Sequence, residues 1–193
     1  NNAWSQNRNL HFRNKMVEFS VSGEINYIDH VMGNTDNRLT GYLTAGIAYF
    51  THDPEAKDSY GNWHPLQPLG TEGQGWTFGN DPYKLNGIAL PFGMGFKVNL
   101  GPAIAFQMEW GLRKTWTDYL DDVSTSYVNP VELRQARGEL ALEMADRILD
   151  LPDDLPHSQG LQRGDPGLDD KYGYFLASIA FRVSKKPTSC WEQ

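Results

Sequence analysis

The sequence has one cysteine, Cys190, among its 193 residues, which excludes an internal disulfide framework and any paired-cysteine metal knuckle. It has no run of about 18 apolar residues, so no transmembrane helix can be drawn through it. Basic residues are few: 17 Lys+Arg stand against 24 Asp+Glu, a formal net charge of −7. A general nucleic-acid binder needs a basic surface to displace phosphate counterions, so this balance argues against one. Hydrophobic residues make up only 39%, yet aromatics reach 12% and glycines number 19. That mixture suits β architecture better than a helix bundle. The missing apolar run leaves one membrane option open, because a β-barrel crosses a bilayer on alternating strands. The length fits one domain.

Strict alternation marks five strands. Over 15–28, Val17, Phe19, Val21, Ile25 and Tyr27 share one parity, and Glu18, Ser20, Ser22, Glu24 and Asn26 the other. Residues 41–50 repeat the pattern more softly, with Leu43, Ala45, Ile47 and Tyr49 opposite Thr44 and Gly46. In 87–100 the apolar parity includes Phe92, Met94 and Phe96, and the other carries Ala89, Pro91, Gly93, Gly95 and Lys97. After the Gly101-Pro102 turn, Phe106, Met108 and Trp110 alternate with Gln107, Glu109, Gly111 and Arg113. The last strand, 172–183, sets Phe175, Ile179 and Phe181 against Tyr174, Ser178 and Arg182.

The connections alternate in length, short at 29–40 and 101–102 and long at 52–86 and 117–171. Antiparallel up-and-down barrels of the bacterial outer membrane have this asymmetry. The second long connection carries a helix signal over about 130–150: Asn129 can cap it, Pro130 fits its first turn, and Pro152 and Pro156 stop it.

Alternation alone does not separate a soluble barrel, apolar within, from a membrane barrel, apolar without. Side-chain size favours the second. The bulky groups Phe92, Phe96, Phe106 and Trp110 share a parity expected to face lipid, and the opposite parity is Gly, Ala and Ser with single charges. Small residues suit a narrow barrel's crowded interior, where Glu24, Lys97, Glu109, Arg113 and Arg182 are expected to pair across the lumen. Tyr27, Tyr49, Phe50 and Trp116, near strand ends, fit interfacial girdles.

Chemistry-bearing clusters are sparse. Asp118, Asp121 and Asp122 are weak candidates for a hard cation such as calcium, but they lack the EF-hand spacing, and turn-capping aspartates are the plainer reading. His52, His64 and His157 lie in long loops without a nucleophile motif, so an outer-membrane enzyme with rim His and Asp remains an alternative, as does a soluble lipocalin-like carrier. The Gly70-Thr-Glu-Gly73-Gln-Gly75 stretch bridges no strand and helix, and a tight glycine-shaped loop is expected. Nothing calls for a cofactor.

Several stretches resemble an outer-membrane β-barrel family of Bacteroidota that includes the PorG component of the type IX secretion system. They are Arg8–Phe12, LQPLGTEGQG at 66–75, LPFGMG at 90–95, RKTWTDYLDDVSTSYV at 113–128 and QRGDP at 162–166. The resemblance implies an eight-stranded barrel with a signal peptide and three strands upstream of Asn1. The expectation is therefore an N-terminally truncated barrel domain over 1–184 and a tail over 185–193. It also implies a non-enzymatic protein of the outer membrane that touches lipid and the periplasmic ring subunits of the secretion machine. With the last strand running inward, Lys185, Lys186 and Trp191 are the expected periplasmic contacts.

Overall fold

The computed structural model describes residues 3–34, 36–148 and 158–183. In chain order the elements are α1 (Ala3–Arg8), β1 (Arg13–Asn26), β2 (Leu39–Lys57), β3 (Trp63–Pro65), β4 (Asn86–Asn99), β5 (Ile104–Thr115), α2 (Pro130–Arg137), α3 (Glu139–Ala145) and β6 (Lys171–Phe181). The strands bond in the order β1-β2-β4-β5-β6, with β3 attached to β2 alone. The architecture is all-β, and the long strands neighbour one another in sequence order, the signature of a meander. β5 and β6 pair antiparallel from Ile104 against Phe181 to Lys114 against Lys171. β2 and β3 pair antiparallel from Glu55 against Pro65 to Lys57 against Trp63.

All five expected strands are present, but β2 runs seven residues past Phe50, the end its pattern predicts. Its final stretch buries His52, Glu55 and Ala56, and Glu55 is matched by Arg13 and Lys15, each at 2.6 Å. Buried polar groups in place of apolar ones hid this extension from the hydrophobic period. The helix expected over 130–150 is two helices. Gly138, at φ 87° and ψ 179°, leaves the helical region and donates its N–H to the Arg134 carbonyl, so α2 ends there and α3 restarts.

The residues divide into two compact units. One spans Asn1–Phe19, Tyr49–Ala89 and Thr115–Asp170, and the other Ser20–Ala48, Leu90–Lys114 and Lys171–Gln193.

In the second unit the strands turn large apolar side chains to the outside. Ile25 is 76% exposed, Leu43 61%, Phe92 47% and Trp110 49%, and Phe96 is exposed as well. Phe106 is half-buried, 6.4 Å from the Phe96 ring. The alternate positions Tyr42, Pro91, Ala105 and Gly111 are buried. A water-exposed sheet normally buries its bulky parity and solvates the other. Here the order is reversed.

In the first unit the long connections are ordered around small cores. Ala56, Leu66 and Met144 form one, and Leu133, Ala141 and Ala145 another. Asn129 caps α2, accepting from the Val131 and Glu132 amides. Of the expected girdle rings, Tyr27, Tyr49 and Trp116 are exposed, whereas Phe50 is buried. Phe50 lies on the parity opposite Tyr49, and its ring occupies the space over Gly87, where a Cβ would meet it at 3.0 Å.

Candidate functional site

Two polar networks stand out, one in each unit. In the second unit Glu109 is the centre. Tyr42 donates to its Oε2 at 2.7 Å, Tyr174 donates to its Oε1, and Gln107 Nε2 donates to the Tyr42 oxygen at 2.6 Å. Lys97 forms an ion pair with Glu24 and stands over the Tyr42 ring, 4.8 Å from its centroid. Arg113 covers Tyr174 at 4.3 Å. Glycines make room for these rings. Gly111 is the register partner of Tyr174, and a Cβ on it would meet that ring at 2.2 Å. A Cβ on Gly95 would likewise meet the Tyr42 ring, at 2.6 Å. The small parity of the strands therefore carries two tyrosines and four acidic or basic side chains brought together from β1, β2, β4, β5 and β6. Arg182, expected among them, lies one residue past β6, with Nη1 3.1 Å from the Cβ position of Gly33.

In the first unit the centre is Arg163, whose side chain is almost entirely buried. Its Nη1 reaches Glu72 Oε1 at 2.9 Å and the Asp122 carbonyl, its Nη2 reaches Asp122 Oδ2 at 3.4 Å, and its Nε reaches the Ala145 carbonyl at 3.3 Å. Both carboxylates are as deeply buried as the guanidinium. Glu72 accepts the Ser124 amide at 2.9 Å, and the Thr125 amide and hydroxyl at 3.0 and 2.8 Å. Asp122 accepts from Thr71 at 2.5 Å and from Tyr83 at 2.7 Å. Tyr83 stacks on Tyr119 with centroids 4.5 Å apart. Burial pushes the Asp122 carboxyl up and Arg163 opposes that shift, while burial, and after it the Asp122 carboxylate, push the Tyr83 phenol up.

Backbone geometry serves this cluster. Asp122 itself sits at φ 66°, in the left-handed region that aspartate tolerates better than most residues. Gly164 packs against the Ser124 backbone, where a Cβ would stand at 2.6 Å. Three stretches singled out in the sequence meet here: the 66–75 loop supplies Glu72, the 113–128 block supplies Asp122, and QRGDP supplies Arg163. The sequence drew attention to those stretches without showing that they close on one guanidinium. A glycine-shaped loop was expected at 70–75, and its Glu72 is what the glycines position.

Of the three aspartates weighed as cation ligands, Asp122 belongs to this ion cluster. Asp121 accepts the Val123 amide at 3.0 Å, and Asp118 has one buried carboxyl oxygen without a partner. Burial pushes Asp121 up to about 7 and Asp118 up to about 6, reinforced by the neighbouring Asp170. Among the described residues no group of three His, Cys, Asp or Glu side chains is arranged to hold a metal. His52 bonds the Lys84 carbonyl at 3.2 Å, and His64 bonds Asp58 at 2.8 Å, which holds that aspartate well below its ordinary pKa. His157, Lys185, Lys186, Cys190 and Trp191 lie outside the described residues.

The fold and these networks define an antiparallel all-β protein whose small-residue face carries a polar network. A family model described as a domain of unknown function, DUF6089, matches residues 1–61. No curated protein and no solved structure matches the chain.

Proposed function

We propose that the chain belongs to a non-enzymatic, outer-membrane β-barrel that serves as a PorG-like structural component of the type IX protein secretion system and contacts its periplasmic ring. The observation that carries this reading is the reversed sheet of the second unit. Val21, Ile25, Leu43 and Ile47 are all more than half exposed, while the alternate parity is small and polar. A contiguous apolar face of that size is rare on a soluble monomer and is what a bilayer requires of a barrel exterior. A soluble carrier would need the opposite orientation.

The order β1-β2-β4-β5-β6 puts β1 and β6 at its two ends. In a bilayer every strand edge must find a partner. The family resembled would supply three more strands for that closure. The Tyr42–Glu109–Tyr174 network and the Lys97–Glu24 pair occupy the face that would line the lumen, which favours a scaffold over an open pore. The rim histidines His52 and His64 hold structural bonds, which favours scaffold over enzyme. On this reading the long connections face the cell exterior, and the short turns and the tail over 185–193 face the periplasm.

The test is fractionation of cells producing the full gene product, followed by affinity capture of the ring. Recovery in the outer membrane after urea washing, with ring subunits co-purifying, supports the proposal. Recovery in the urea-soluble fraction refutes the barrel. Undiminished ring recovery after deletion of 185–193 removes the tail from the contact and leaves the short turns.

A further inference from the structure

A cavity of about 190 Å³ in the first unit is lined by the apolar Leu10, Phe12, Leu66 and Met144, by the basic Arg8, His11 and Arg147, and by Asp121. Its hydrogen-bond donors do not balance its acceptors.

The His11 ring fixes the imbalance. Its Nε2 accepts the backbone N–H of Lys57 at 3.0 Å. A backbone amide can only donate, so Nε2 carries no proton and the neutral ring must carry its proton on Nδ1. Burial, Arg147 and Lys57 all lower the His11 pKa, in keeping with a neutral ring. Nδ1 faces Arg147 Nη1 at 3.4 Å. Both atoms then present N–H groups, and two donors do not bond each other. The rest of the Arg147 guanidinium is engaged: Nε donates to the Glu143 carbonyl at 3.1 Å and Nη2 to the Lys57 carbonyl. Arg8, on the same cavity, donates from Nη1 to the Arg163 carbonyl, and its Nε–H is buried with no acceptor. Among the described residues no carboxylate forms an ion pair with Arg8, Arg147 has a long one, its Nη2 4.0 Å from Glu143 Oε1, and Arg163 is already matched by Glu72 and Asp122.

We propose that this cavity binds a small carboxylate with a short apolar chain, its oxygens taking the donors of Arg8, His11 and Arg147 and its chain lying against Leu10, Phe12, Leu66 and Met144. Guanidinium N–H groups are strong, charge-assisted donors to carboxylate oxygens. The apolar wall argues against a bare inorganic anion. The volume lies below the roughly 300 Å³ at which drug-sized pockets begin, so the ligand is small. Asp121, the one acid at the wall, is pushed up to about 7 and opposes an anion less than an ordinary carboxylate would. The proposal does not depend on the membrane reading.

Calorimetric titration of the full chain with sodium butyrate, sodium acetate and sodium phosphate tests it. Saturable butyrate binding, weaker for acetate, is expected, with the affinity reduced at least about tenfold by R8Q or R147Q because each removes a charge-assisted bond. A downfield shift of the His11 Nδ1–H proton signal with butyrate is expected in the wild-type chain, a readout that needs no variant. Absence of saturable butyrate binding overturns the proposal. So does phosphate binding tighter than butyrate, or R8Q and R147Q binding butyrate as the wild type does.

Discussion

The Tyr42 ring lies where a side chain on Gly95 would stand: a Cβ added to Gly95 would be 2.6 Å from the ring and 2.3 Å from the Met108 carbonyl oxygen. The backbone contact cannot rotate away. G95A is therefore expected to destabilise the fold by about 1–3 kcal/mol, the usual range for overpacking. G101A, with open space around its Cβ and no positive φ, is expected to stay within about 0.5 kcal/mol of the wild type. Urea unfolding of the two variants checks the pair, and equal midpoints would contradict the packing described.

Arg163 holds two buried carboxylates, and removing it leaves both without a counter-charge. R163M is expected to cost about 3–5 kcal/mol, the penalty for breaking a buried ion pair from one side. E72Q should cost less, because one acid and Arg163 still balance. Limited proteolysis of the 116–148 connection gives the readout, with R163M cut faster than E72Q and E72Q faster than the wild type. R163M as resistant as the wild type would show that the cluster does not hold the connections together.

Asp121 gives a pH dependence. Its carboxyl titrates near 7 in the fold against an ordinary 3.8, so between those values the folded chain keeps a proton that the unfolded chain releases. Stability contributed at this site is thus present at low pH and is lost as pH rises from about 4 to about 7. D121N should flatten part of that fall in a Tm–pH profile, with Asp118 and Asp170, also pushed up by burial, supplying the rest. An unchanged slope in D121N would exclude Asp121 as a source.

What the sequence made legible follows from period. Five strands and their apolar parity could be read because Phe, Ile, Val and Leu recur every second residue. The charge positions on β1, β4 and β5 could be read for the same reason, since Glu24, Lys97, Glu109 and Arg113 fall on the alternate set. Tyr42 and Tyr174 were on that set too, but a tyrosine among glycines carries no periodic signal until the neighbouring strand is in register. Arg163, Glu72 and Asp122 come from three loops separated by up to 91 residues, and no local rule links them. The last part of β2 was hidden because it buries His52 and Glu55 rather than hydrocarbon. Gly138 divided a stretch that reads as a single helix because its φ is positive in the fold.

The central claim is that the bulky parity faces lipid. Spin labels at Phe96→Cys and Tyr60→Cys, each in a Cys190→Ala background and reconstituted in vesicles, test it most directly through their collision rates with oxygen and with a water-soluble nickel complex. Phe96 lies on the exposed apolar parity of β4, and Tyr60 is exposed in the loop after β2. The account predicts that the label at 96 collides preferentially with oxygen and is shielded from nickel, while the label at 60 shows the reverse. Nickel accessibility at position 96 equal to that at position 60 would contradict it.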